Sequence, residues 1–140
     1  MRPSVFGNLE EWGCVLERLE ELTRSRQLEL HQDALVALLR YRDNWRLREA
    51  ALESAATIRT PTGPLIRQVC RLMMDQGLYY QARVLAAEAL GATLEHLHDD
   101  SQGEVMALRQ EVRENVHALL ASHDVPVIHQ AARRALPKIE

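Results

Sequence analysis

The residues most like a metal site are His96, His98, Asp99 and Asp100, which lie close together along the chain. Imidazole and carboxylate groups bind zinc and iron, but a site needs three or four ligands that converge in space. Neighbours along a single loop rarely supply that convergence alone. We therefore expect these side chains to end one helix and open the next, and we predict no bound metal and no cofactor.

Nucleophilic catalysis finds no support in the sequence. The chain has no glycine-flanked serine elbow, no paired cysteine and histidine, and no glycine-rich loop that could cradle a phosphate. Each of these motifs brings together groups that its chemistry requires. We therefore predict no catalytic residue.

The segment 40–48 is the most basic stretch of the chain and holds four arginines together with Tyr41 and Trp45. Guanidinium groups and aromatic rings can neutralise and stack on nucleic acid. Two helices would scatter these side chains, however, and the net charge of −3 argues against a general polyanion binder. A nucleic-acid groove stays an alternative, and we favour a protein contact at this turn through Tyr41 and Trp45.

This segment belongs to a pattern that recurs along the chain. Residues 38–58 return 81 residues later at 119–139, and a weaker copy 35 residues on places Arg48 on Arg83. Each copy has apolar residues at helical spacing, a short turn, and then an alanine-rich helix. Small side chains let two helix backbones approach closely. The positions matched across 81 residues are Leu38, Leu39, Asp43, Ala50, Ala51 and Ile58.

The copies resemble HEAT repeats, of the short bacterial kind also found in phycobilisome-lyase-like proteins. The residues that carry the resemblance are a Leu-Leu pair, an aspartate and an Ala-Ala pair, and the nearest single match is 82–91, ARVLAAEALG. The resemblance covers about residues 33–139. It implies stacked helical hairpins and an arginine ladder, in which Arg48 and Arg83 join turn carboxylates, with Asp43 and Asp75 as candidates. HEAT-like hydroxylases hold di-iron through His-Glu pairs, which this sequence lacks.

We predict a single all-α domain over residues 1–140, built as a short α-solenoid. An N-terminal capping helix over 8–27 precedes three HEAT-like hairpins at 33–58, 64–97 and 104–139. The composition agrees, because 46% apolar but only 4% aromatic residues favour packing of helix on helix. Cys14 and Cys70 lie on apolar helical faces and are expected to be buried thiols.

Short polar residues predict where these helices begin. Asn8 with Glu11, and Ser101 with Glu104, have the spacing of capping boxes. Thr62 is expected to cap the helix that Pro64 starts. Asp43 and Asp124 each stand just before a second helix, where a carboxylate can accept from the first free N–H groups.

The second helices of such a solenoid line its concave side, which is the common binding surface. The outward positions between the alanines would be acidic in the first two repeats and basic in the third. That charge order suits a protein or peptide of the opposite order. The predicted partner-binding residues are Glu49, Glu53, Val84, Glu88, Gln130 and Arg134.

We expect a non-catalytic adaptor or accessory subunit that binds another protein. The alternatives are a lyase-like HEAT protein that holds a cofactor or pigment, and the nucleic-acid groove binder. No helix is expected after the third repeat, so an apolar face there favours a homodimer or another subunit. No apolar run nears the roughly 20 residues that span a bilayer, and the first residues lack a signal peptide's apolar stretch. We therefore expect no membrane contact and a cytoplasmic location.

Overall fold

A computed structural model describes residues 5–98 and 103–140. Within these ranges the chain forms seven α-helices and no strand, so the predicted all-α class is confirmed. A 3₁₀ turn over Leu28–His31 leads into the second helix. The α-helices are α1 (Trp12–Arg24), α2 (Gln32–Arg40), α3 (Trp45–Ala55), α4 (Gly63–Met74), α5 (Tyr80–Glu95), α6 (Glu104–Ala121) and α7 (Pro126–Ile139).

Consecutive helices pack in pairs, α2 on α3, α4 on α5 and α6 on α7. Contacts also join the pairs. The helices α2, α4 and α6 contact one another in series, and α1, α3, α5 and α7 do the same. From α2 onward, each helix therefore buries one side against its pair mate and another side against a neighbouring pair.

The core is made of leucine and alanine at the predicted spacing. Leu35, Leu38 and Leu39 of α2 are buried, as are the alanines along α5. The most extensive contact joins α5 to α7. There a Cβ added at Gly91 would lie 3.3 Å from both Cα and Cβ of Ala135, so the two backbones are in close approach. In the described part of the chain, no helix is both long and apolar enough to cross a bilayer.

The predicted caps are partly confirmed. The Thr62 hydroxyl accepts from the Leu65 N–H at the start of α4, as expected. At α3 the cap is Asn44, whose side chain accepts from the backbone N–H groups of Arg46 and Leu47, so Asp43 was the wrong residue. An asparagine one position nearer the helix has the reach to those two donors, and Asp43 is left exposed.

The capping box predicted for the first helix is wrong. The Asn8 side chain accepts from the Glu10 N–H and closes a local turn, while Glu11 N–H bonds to the Asn8 carbonyl. The helix then begins at Trp12, without a side-chain cap. The second predicted box includes Ser101, which lies outside the described residues.

The helix α1 is shorter than the capping helix predicted over 8–27, and its first residues lie at the surface. Val15, Leu19 and Leu22 are buried, whereas Trp12 and Cys14 are exposed. The expectation that Cys14 is a buried thiol is therefore wrong, because α1 packs mainly against α3 and turns its first residues to the surface. Cys70 is buried as expected.

Candidate functional site

Large aromatic side chains are exposed where α1, α3 and α5 begin. Trp12 and Trp45 are the first residues of α1 and α3 and are 42% and 56% exposed, and Tyr80 at the start of α5 is 54% exposed. Tyr79 immediately precedes α5 and is also exposed. Arg46 of α3 lies over the Trp12 ring and the Tyr79 hydroxyl bonds to the Trp45 carbonyl oxygen, so the starts of these three helices lie along one edge of the molecule.

An arginine and two hydrogen bonds order this edge. The Arg46 guanidinium lies over both indole rings, 5.8 Å from the Trp12 centroid and 5.3 Å from the Trp45 centroid. The Tyr79 hydroxyl donates to Glu49 Oε2 at 2.9 Å and lies 3.4 Å from the Trp45 carbonyl oxygen. We call Trp12, Trp45, Arg46 and Tyr79 the aromatic cluster.

Two members of the aromatic cluster, Trp12 and Tyr79, were missed by the sequence reasoning. A signal existed for Trp12, which stands three residues before Val15 and in helical register with Leu19 and Leu22. The contact between them, however, depends on how α1 packs on α3. Partial desolvation of the Tyr79 hydroxyl and its hydrogen bond to Glu49 raise the pKa of this group to about 12, so this donor stays protonated over the physiological range.

The other predicted turn residue, Tyr41, has a different setting. Its side chain is half-buried and packs against the core, and its carbonyl oxygen accepts from Arg48 Nη2 at 3.3 Å. Of the two turn residues predicted to contact a partner, Trp45 is thus the accessible one.

The residues predicted for a concave binding face lie along α3, α5 and α7, which contact one another in series. All are at least partly accessible: Glu49 and Val84 are half-buried, and the other four are exposed. Glu53 also lines a cavity of about 460 Å³ together with Leu16 and Leu19 of α1. Binding of a partner at these residues remains a prediction.

The arginine ladder has a different partner from the two predicted. Arg83 donates through Nη1 and Nη2 to the two carboxylate oxygens of Asp124, at 2.9 and 2.6 Å. Asp75 instead accepts from the Gly77 N–H within its own turn. Asp75 was therefore the wrong carboxylate, because Arg83 extends from α5 toward the turn that precedes α7. Asp43 was wrong too, because it is exposed and, within the described residues, forms no salt bridge with Arg48.

The basic segment 40–48 is divided by the structure. Arg46 belongs to the aromatic cluster, whereas Arg40, Arg42 and Arg48 line a cavity with Arg71 of α4. The four arginines of the segment therefore do not form one continuous strip. Nucleic-acid binding by this segment stays an alternative prediction.

Of the four residues that most resemble a metal site in the sequence, the structure describes two. His96 and His98 are exposed, while Asp99 and Asp100 lie outside the described residues. Among residues 5–98 and 103–140, no three or more histidine, cysteine, aspartate or glutamate side chains are grouped so as to hold a metal ion.

The resemblance to HEAT repeats rests on the residues quoted above. Comparison with protein-family models, with curated proteins and with solved structures gives no match to this chain.

Proposed function

We propose that this chain is a non-catalytic adaptor or accessory subunit that binds another protein through a short α-solenoid of three HEAT-like hairpins, with α1 as the N-terminal cap. The serial contacts of α2, α4 and α6, and of α1, α3, α5 and α7, support this arrangement. A solenoid has this pattern because each repeat contacts its neighbours along the stack.

The observation that carries the proposal is the exposed aromatic cluster. Tryptophan, tyrosine and arginine dominate the binding energy of protein interfaces, and this cluster contains all three types. Arg46 already lies over both indole rings, and the Tyr79 hydroxyl is held by the Glu49 carboxylate and the Trp45 carbonyl. Binding would then cost little additional side-chain entropy, which favours affinity.

The chemistry of the cluster indicates the chemistry of its partner. Trp12 and Trp45 offer apolar faces, and a guanidinium stacked on aromatic rings still presents its N–H edge to an acceptor. We therefore propose a partner segment that presents apolar side chains beside a carboxylate. Glu49 connects the cluster to the concave face, so a longer partner would extend over Glu53 and Glu88 with basic groups.

The test is a Trp12→Ala/Trp45→Ala variant with Met106→Ala as its control. Met106 is 65% exposed on α6 and lies outside the cluster. A partner isolated from the source organism with the wild-type protein is titrated against all three proteins by calorimetry. We expect the double variant to bind at least about 30-fold more weakly, because interface tryptophans contribute about 2 kcal/mol or more, and Met106→Ala to bind as wild type.

Equal affinity of the double variant and the wild type would rule the aromatic cluster out as the docking surface. A Glu53→Lys/Glu88→Lys variant then tests the concave face in the same assay. Retention of single-stranded oligonucleotide by the wild type, lost in the double variant, would favour the nucleic-acid alternative instead.

A further inference from the structure

Two arginines hold the same place in successive helix pairs but have different surroundings. Arg48 is the fourth residue of α3 and Arg83 is the fourth residue of α5. Arg83 forms an ion pair with Asp124, which stands two residues before α7. The residue two positions before α5 is Leu78. The turn before α5 thus lacks the carboxylate that the turn before α7 supplies.

The side chain of Arg48 is nevertheless buried like that of its counterpart. The residue is only 7% exposed. Its Nη2 donates to the Tyr41 carbonyl, and its guanidinium lies 5.9 Å from the Tyr79 ring centroid. No carboxylate in residues 5–98 or 103–140 forms a salt bridge with it. A buried charge without an ionic partner is costly, which favours an anion from outside the chain.

A cavity of about 390 Å³ lies at this position. Leu78 lines the cavity at the position that corresponds to Asp124. The charged residues of the cavity lining are one acid, Asp75, and four arginines, Arg40, Arg42, Arg48 and Arg71. The Asp75 carboxylate is also engaged by the Gly77 N–H. The formal charge of the lining is three positive.

We propose that this cavity, between the turn that joins α2 to α3 and the turn that joins α4 to α5, binds a phosphoryl group. The phosphoryl oxygens take the place at Arg48 that the Asp124 carboxylate has at Arg83. The proposed site goes beyond the adaptor role: it adjoins the aromatic cluster, because Tyr79 contacts Arg48, but Trp12, Trp45 and Arg46 do not line its cavity.

The surplus of charge distinguishes a phosphoryl group from a single carboxylate. One carboxylate would leave two positive charges unbalanced, whereas a phosphate monoester carries about −1.5 to −2 at neutral pH. Its oxygens can accept from guanidinium groups of both helix pairs at once, and such charge-assisted bonds are the strong ones. The cavity also exceeds the volume of the phosphoryl group, which leaves room for the moiety that bears it.

The first experiment measures binding of inorganic phosphate to the full chain by calorimetry and thermal unfolding, with chloride at equal ionic strength as the reference. We expect phosphate to raise the melting temperature above that in chloride. Arg71→Gln should weaken phosphate binding by about tenfold, the effect of losing one hydrogen bond from a charged donor. The matched control is Arg67→Gln, four residues earlier on α4, where Arg67 pairs with Glu111 outside the cavity.

The second experiment restores the missing carboxylate. Leu78→Asp should pair with Arg48, raise the melting temperature in chloride, and abolish the further rise in phosphate. The proposal is overturned if phosphate acts no differently from chloride, or if Arg71→Gln and Arg67→Gln bind it alike. It is also overturned if Leu78→Asp folds and binds phosphate as tightly as the wild type.

The phosphoryl group could belong to a small phosphate ester or to a phosphorylated protein segment, and two further probes distinguish these sources. Phosphoserine as the free amino acid represents small phosphate esters, and a phosphoserine peptide with its unphosphorylated twin represents a modified protein segment. Tighter binding of the phosphopeptide than of phosphoserine assigns the site to a protein segment, and equal binding assigns it to a small ester. A single-stranded oligonucleotide that exceeds both in an Arg71-dependent manner would overturn the assignment in favour of nucleic acid.

Discussion

Arg83 and Asp124 form a buried, bidentate ion pair that joins α5 to the turn before α7. The two N–H···O distances are 2.9 and 2.6 Å, and the side chains are 1% and 6% exposed. Arg83 Nε also donates to the Met73 carbonyl at the end of α4, at 2.9 Å. One guanidinium therefore connects three segments of the chain, and its donors are directed at fixed acceptors.

Removing the carboxylate should destabilise the protein strongly. Asp124→Asn leaves the Arg83 charge buried without an ionic partner, and we expect a loss of about 3–5 kcal/mol in the free energy of unfolding. Urea denaturation measures it. The control is Asp43→Asn at the matching turn position, where the exposed side chain should contribute less than about 0.5 kcal/mol. Equal losses for the two variants would show that the ion pair does not stabilise the fold.

The same pair predicts how stability depends on pH. The hydrogen bonds from Arg83 hold the pKa of Asp124 below its ordinary value in the folded state. A lowered folded pKa means that the pair's contribution is fully present above the unfolded pKa, about 3.9, and is lost as pH falls through the folded pKa. The free energy of unfolding, measured from pH 7 to pH 2, should therefore fall more steeply in the wild type than in Asp124→Asn.

Glu29 provides an internal check on that comparison. Burial acts to raise its pKa, but hydrogen bonds from Thr60 and from the Arg59 N–H lower it below the ordinary value. Because Asp124→Asn leaves Glu29 intact, the variant should keep a residual acid dependence. If the free energy of unfolding of Asp124→Asn had the same pH profile as that of the wild type, Asp124 would not be the source of the acid dependence.

Two helical glycines should respond in opposite directions to the same substitution. Gly91→Ala places a methyl group 3.3 Å from the Ala135 backbone, and overpacking between two helices costs about 1–3 kcal/mol. Gly13→Ala in α1 meets nothing within 4 Å, so it should stabilise by up to about 1 kcal/mol through helix propensity. Thermal unfolding of both variants measures the contrast, and stabilisation by Gly91→Ala would mean that α5 and α7 separate easily.

The two cysteines should differ in reactivity. Cys14 is exposed, whereas burial raises the pKa of the Cys70 thiol to about 11, and only the thiolate is an effective nucleophile. Iodoacetamide at pH 8 should therefore alkylate Cys14 first, as mass spectrometry of the native protein would show. Cys14→Ser should remove the fast phase, and urea should expose Cys70. Fast alkylation of Cys70 in the folded protein would contradict the burial of its thiol.

Local patterns in the sequence determined the helices of this protein and most of their buried faces. The spacing of Leu35, Leu38 and Leu39 predicts one apolar side of a helix, and that side is buried. Thr62 was identified as a cap because capping depends on donors two or three residues away. Such features are short in range, so neighbouring residues are enough to predict them.

Contacts between helices were decided by the tertiary structure. The sequence offered Asp43 and Asp75 as partners for Arg48 and Arg83, which recur at one position of the repeat, but Arg83 reaches Asp124, 41 residues away. The same applies to the stacking of Trp12 and Trp45 on Arg46, and to the exposure of Cys14. The physical reason is that helical periodicity fixes which face of a helix is buried, whereas the rotation and offset of one packed helix against another fix which side chains meet.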